Sequence, residues 1–105
     1  MIEIDLQPAH LEIVRAILSR HLAGREVWAF GSRVRGVAKP YSDLDLTVLG
    51  EQPLPIATMA DLAEDFAESD LVFKVDIVDW ATTIESFRKV IAAQHVILQR
   101  SDAAE

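Results

Sequence analysis

Three aspartates and one Gly-Ser pair are the residues in this chain whose types and spacing point to chemistry. Asp43 and Asp45 stand two residues apart at the head of an apolar run over 44–49, and Asp76 sits inside the stretch 73–79. Residues i and i+2 of a strand project to one face, so Asp43 and Asp45 present their carboxylates side by side. Such a pair repels unless a cation or a base lies between its members. An aspartate is also disfavoured within a strand, and Asp76 lies between Val75 and Ile77, which face the other way. Gly31-Ser32 follows the apolar run Val27-Trp28-Ala29-Phe30, with ten residues between it and Asp43. A strand that runs into a small-residue turn offers free backbone N–H groups to a phosphate. Gly31 allows the close backbone approach this requires. Mg²⁺ takes oxygen ligands from one or two carboxylates together with substrate phosphates. A phosphate cradle beside paired carboxylates therefore suits a Mg-nucleotide.

The neighbouring charges are less decisive. Arg33 and Arg35 are both candidates to meet phosphates. A two-residue spacing on a helical segment splays them about 200° apart, so one is expected at the triphosphate, Arg33, and Arg35 is read as a partner or solvent contact. Lys39 is expected in solvent. Asp79 rivals Asp76 as third carboxylate, but three residues further on it faces the opposite side, and a turn or helix cap is the preferred reading. His10 and His21 have no cysteine or close histidine partner to share a metal. A Walker-type Gly-Lys-Ser/Thr and a Gly-x-Ser-x-Gly elbow are both absent, which argues against a P-loop ATPase and a hydrolase triad.

The elements that must position these groups follow from periodicity. Residues 7–23 read as an amphipathic helix, with Pro8 early, Leu11, Val14, Ile17, Leu18 and Leu22 as its stripe, and Gly24 as its stop. Residues 27–30 form a short strand apolar on both faces, as in the middle of a sheet, with Trp28 as packing. A second strand covers 43–49. For Gly31 to meet Asp43, the end of the first strand must lie beside the start of the second, and as neighbours they run antiparallel. A helix over 56–69 carries Ile56, Met59, Leu62, Ala63 and Phe66, and a third strand covers 73–79. Thr82 or Thr83 is expected to cap a last helix bearing Ile84, Phe87, Val90 and Ile91. Residues 96–98 close the chain as a short fourth strand or a helix tail, and 101–105 as a frayed end. The fold class is α/β (α+β), a small mixed sheet of three to four strands flanked by helices, in one domain over 1–105 with its core at 8–98.

Composition narrows the function classes. A net charge of −7 and a pI near 4.8 argue against a free-standing nucleic-acid binder, which needs Lys and Arg to neutralise phosphates. They suit a basic protein partner. There is no cysteine, hence no disulfide framework or thiol nucleophile. The N-terminus lacks a basic leader and a continuous apolar stretch, and no run of 18 apolar residues occurs. A cytoplasmic protein without membrane contact is the expectation.

Gly-Ser, ten residues and Asp-x-Asp together form a pattern that resembles the DNA-polymerase-β-like nucleotidyltransferases. The fuller string, Gly31-Ser32-Arg33-x-Arg35-Gly36 with Ser42-Asp43-x-Asp45-Leu46, is similar to their smallest branch, the minimal nucleotidyltransferases. The resemblance covers about residues 25 to 98. It implies the polymerase β-like fold, with Asp43, Asp45 and Asp76 as catalytic Mg²⁺ ligands and Asp76 as the general base. Gly31, Ser32 and Arg33 would hold the triphosphate of ATP, and two Mg²⁺ ions would serve the transfer. Fewer than thirty residues follow Asp76, too few for the acceptor domain of larger relatives, so another protein should hold or be the acceptor. The branch commonly pairs with a HEPN-domain RNase toxin in a hetero-oligomeric toxin–antitoxin module. The resemblance thus implies an antitoxin that moves AMP from ATP to a tyrosine of that toxin. Two alternatives are an antitoxin that neutralises by binding alone and a transferase acting on a small molecule such as an aminoglycoside.

Overall fold

The strand Val27–Phe30 (β1) is apolar on both faces and accordingly lies inside the sheet, paired on each side. The computed structural model describes residues 4–101; the expected frayed end therefore falls, beyond Ser101, outside the described residues. In chain order the elements are α1 (Pro8–His21), β1, α2 (Ser32–Arg35), β2 (Leu44–Val48), α3 (Ile56–Ala67), β3 (Val75–Asp79), a 3-10 turn (Trp80–Thr82), α4 (Glu85–Ala93) and β4 (Val96–Gln99). Pro8 opens α1, where its missing N–H costs nothing. Residues 96–99 resolve the open alternative as a strand.

The sheet order is β3-β2-β1-β4. β1 runs antiparallel to β2, as required for Gly31 to meet the Asp-x-Asp segment, and antiparallel to β4. β3 lies parallel to β2, and α3 supplies the crossover that a parallel pair needs. Alternation then sorts the side chains. Val27, Ala29, Leu44, Leu46, Val48 and Leu98 face one way and form the core with Val14, Ile17 and Leu18 of α1 and Leu62 and Phe66 of α3. Each such large apolar side chain contributes about 1.5–3 kcal/mol by leaving water. His21 of α1 hydrogen-bonds Asp65 of α3, which also pairs with Arg20, and these contacts hold the Asp65 carboxyl below its ordinary range. No helix among the described residues is long and apolar enough to cross a membrane.

The opposite face carries Trp28, Phe30, Asp45, Thr47 and Asp76. Part of it is closed by rings. His95 stacks on Trp28 at 3.8 Å between centroids, Trp80 meets the same indole edge-on, and Phe87 of α4 meets Phe30 edge-on. Trp28 is packing, as read, but on this second face rather than in the main core. Three other expectations shift. Ile56, at the first turn of α3, and Ile84 and Val90, on or beside α4, are exposed rather than part of a buried stripe. Neither threonine caps α4, whose N-cap is Ile84. Thr82 and Thr83 instead donate their hydroxyls back to Asp79 O, because the 3-10 turn brings that carbonyl within reach.

Thr47 is fully buried and its Oγ1 has no hydrogen-bond partner. A buried unsatisfied hydroxyl costs about 1–3 kcal/mol, and valine has the same shape without it. Thr47→Val is therefore expected to stabilise the protein by about 1 kcal/mol in chemical denaturation, with an unchanged denaturant slope.

Candidate active site

β1 ends at Phe30, and the chain turns sharply through Gly31 into α2. Gly31 has φ +83°, and a Cβ added there would overlap Oδ2 of Asp45. Both facts demand glycine: the left-handed conformation disfavours any side chain, and the space is taken by a carboxylate. Gly31 O accepts from Val34 N and Arg35 N, while left-handed Gly36 ends α2 after one turn. Ser32 heads this turn, where the first helical amides have no intrahelical acceptors.

Asp45 lies opposite Phe30 on β1 and opposite Asp76 on β3. Neighbouring strands are about 4.8 Å apart, so the Asp45 and Asp76 side chains leave the same face as direct neighbours. Asp43 stands one residue ahead of β2 and is exposed. Leu44 N donates to Lys74 O, which carries the β2–β3 ladder up to this point. The electrostatics record the crowding. Burial raises the Asp45 carboxyl above its ordinary range, the charges of Asp76 and Asp43 raise it further, and Arg35 pulls it back. Desolvated, repelling carboxylates are relieved by a cation between them.

The donor set suits Mg²⁺. Among the described residues no three His, Asp or Glu side chains are grouped so as to hold a metal ion, so Asp43 does not join Asp45 and Asp76 in a ready-made three-carboxylate site. Mg²⁺ at nucleotide sites needs only one or two carboxylates, with phosphates and water completing its shell. The neighbouring pair Asp45 and Asp76, with Asp43 exposed one residue ahead of β2, supplies carboxylates of that number and type.

Arg33 departs from the expectation that it meets a triphosphate. It is 5% exposed, and its guanidinium donates to the carbonyls of Asp5, Pro40 and Ser42 at 2.8–3.0 Å and to Lys39 O at 3.4 Å. Its plane lies over Phe73, 4.2 Å from the ring centroid. The two-residue spacing separates the arginines as anticipated: Arg35 is exposed, and its charge lowers the Asp45 carboxyl. The splay was visible in the sequence, but the captors of Arg33 are backbone carbonyls of Asp5 and of the 39–42 loop, which carry no side-chain signal. Asp79 accepts from Leu54 N and Ala81 N, so it caps the following turn. His10 packs edge-on against Phe73.

A sheet presenting aspartates from two adjacent strands, fed by a glycine turn at the end of a third, is the scaffold of a nucleotidyl-transfer domain. The polymerase beta nucleotidyltransferase family model matches residues 12–103. The chain belongs to this nucleotidyltransferase family and, within it, to the minimal nucleotidyltransferases. It is 46% identical over 100 residues, covering 95% of this chain and 88% of the other, to a Haemophilus influenzae protein named "Probable protein adenylyltransferase MntA". A solved structure described as a candidate minimal nucleotidyltransferase is 32% identical, with a TM-score of 0.63 over 84% of this chain and 88% of its own. The fold is also shared with a chain from a complex of tri-AMPylated Shewanella oneidensis HEPN toxin and MNT antitoxin. That match has a TM-score of 0.69 at 23% identity, over 94% of this chain and 76% of the other.

Proposed function

We propose that this chain is a Mg²⁺-dependent adenylyltransferase and antitoxin that transfers AMP from ATP to a tyrosine hydroxyl of a HEPN-domain toxin. The observation that carries this reading is the pairing of Asp45 with Asp76 across β2 and β3, with Gly31 clearing the space at the Asp45 carboxylate. Support for the acceptor comes from the 46% relative, which bears the name of a protein adenylyltransferase. The shared fold with a chain from an AMPylated toxin complex adds to it. On this reading residues 1–105 act as one unit in the cytoplasm, where ATP is supplied, and form a hetero-oligomer with the toxin.

Asp43, Asp45 and Asp76 would hold one or two Mg²⁺ ions. Bound Mg²⁺ supplies Lewis acidity, lowering the pKa of an incoming hydroxyl and offsetting triphosphate charge. The backbone at Gly31 and Ser32 binds the β- and γ-phosphates, and Arg35 adds a positive charge on the carboxylate side. Asp76 accepts the proton of the tyrosine hydroxyl as its oxygen bonds to the α-phosphorus. The bond from that phosphorus to the bridging oxygen breaks, and pyrophosphate leaves.

Intact mass of the co-expressed toxin, after incubation with this protein, ATP and Mg²⁺, tests the proposal. A gain of one or more AMP units, absent with Asp43→Asn, is the expected result. A stable complex that silences the toxin with no mass gain would replace it with neutralisation by binding.

A further inference from the structure

One buried side chain touches every segment that delivers the site. Arg33 sits two residues after Gly31. Its Nε donates to Ser42 O at 3.0 Å, immediately before Asp43. Its Nη2 donates to Pro40 O in the same loop, and Nη1 to Asp5 O in the segment that precedes α1. The backbone closes the same link in reverse, with Asp5 N donating to Arg33 O at 2.7 Å. The guanidinium face rests on Phe73, three residues before Asp76. Beside the 38–40 loop lies a pocket of about 300 Å³, open to solvent on one side and lined in part by Arg33, and Val37 and Tyr41 are exposed. Hydrogen bonds rather than apolar packing therefore hold the loop: Lys39 N to Ser42 Oγ and Ser42 N to Lys39 O close it on itself, and Arg33 ties it to the segment before α1.

From this geometry we infer that Arg33 is a positioning residue, which sets the mutual placement of Gly31, Asp43 and Asp76 without touching the nucleotide. The inference rests on the nucleotidyl-transfer reading of the carboxylates. Four contacts to carbonyls leave the guanidinium one N–H of its five, and at 5% exposure the residue offers little surface to a triphosphate. A lysine keeps the charge but, as a point donor, cannot span carbonyls from two separate segments. Loosening the loop lets Asp43 drift, and a displacement near 1 Å costs about 10²-fold in rate.

The test compares wild type, Arg33→Lys and Phe73→Leu, the last removing the ring beneath the guanidinium while sparing its hydrogen bonds. Three readouts are taken: native-state amide exchange, Mn²⁺ affinity by electron paramagnetic resonance, and AMP transfer over a range of ATP concentrations. For Arg33→Lys, exchange at 39–46 should rise about tenfold while α1 and α3 stay unchanged. Mn²⁺ binding should weaken several-fold, as expected when ligand supports are lost (about 10–100-fold at the upper end). The kcat should fall about 10–100-fold with the ATP KM within about threefold. Phe73→Leu should show the same pattern more weakly, and it decides the matter if Arg33→Lys does not fold. An ATP KM raised tenfold at unchanged kcat would make Arg33 a phosphate ligand and overturn the inference, as would exchange that rises uniformly through α1 and α3. A wild-type protein that binds Mn²⁺ yet transfers nothing would overturn the transfer reading, and the exchange and Mn²⁺ measurements would still decide the role of Arg33.

Discussion

Asp45→Asn is expected to yield a protein that unfolds at a higher temperature at pH 7 and transfers AMP about 10³-fold more slowly. Both effects have one origin. The carboxyl of Asp45 is raised foremost by burial and then by the charges of Asp76 and Asp43. A carboxyl whose folded pKa exceeds its unfolded value binds more protons when folded, so stability falls as pH rises through the window between the two values. Below the unfolded value, near 3.8, the penalty is absent; above the folded value it is complete. The side chain is partly exposed, so solvent screening limits the gain from neutral asparagine to a few tenths of a kcal/mol, or about 1–3 °C. Asparagine offers one neutral carbonyl in place of a charged cation ligand, which removes much of the electrostatic support for transfer. Thermal unfolding without metal at pH 4 and pH 7 checks the first half: the advantage of the variant should be present at pH 7 and shrink toward pH 4. Toxin mass spectra check the second. A variant less stable than wild type at pH 7 would show that Asp45 makes a favourable contact that repulsion does not describe.

Gly31→Ala should cost both stability and transfer. The left-handed backbone imposes about 1–3 kcal/mol on a residue with a side chain, and the new Cβ collides with Oδ2 of Asp45. The carboxylate must then turn away or the strand end must shift, and either displaces a reacting group. Transfer is expected to fall by about 10²-fold or more. Gly36 supplies the internal control, because it too has positive φ, at +77°, but a Cβ there meets nothing within 4 Å. Gly36 (ψ 19°) is in the αL region, while Gly31 (ψ −156°) is in one that essentially only glycine adopts. Gly36→Ala should therefore carry a milder strain, lower the unfolding midpoint less and retain far more transfer than Gly31→Ala. Equal losses in the two variants would mean that contact with Asp45 does not explain the glycine.

The contrast between these glycines shows what a sequence can reveal about this fold. Gly31 was legible because it stands at a fixed distance from Asp-x-Asp, and geometry then required β1 and β2 to be antiparallel. Asp79 was separable from Asp76 by strand alternation alone, and its carboxylate does cap the next turn. Arg33 was not legible. Its partners are carbonyls of Asp5, Lys39, Pro40 and Ser42, which carry no side-chain signature. The threonines misled for a related reason: a hydroxyl can serve the helix ahead or the carbonyl behind, and the 3-10 turn settles which is nearer. Exposure of Ile84 and Val90 also lay beyond periodicity, which marks an apolar stripe but not whether anything covers it.

The parallel pairing of β2 with β3 has a consequence for how the protein is made. Gly31, Asp43 and Asp45 lie within one locally connected β1–β2 unit, whose closure joins segments close in sequence. Asp76 reaches its place only after α3 has been laid down and the chain has returned to the edge of β2. Closing the longer loop costs more entropy before any contact repays it, and long-range strand pairing is slow. During synthesis two aspartates are thus in position before the third arrives. Nascent chains that end before β3 hold Asp43 and Asp45 without Asp76, and the three come together before β4, the last strand made, pairs with β1.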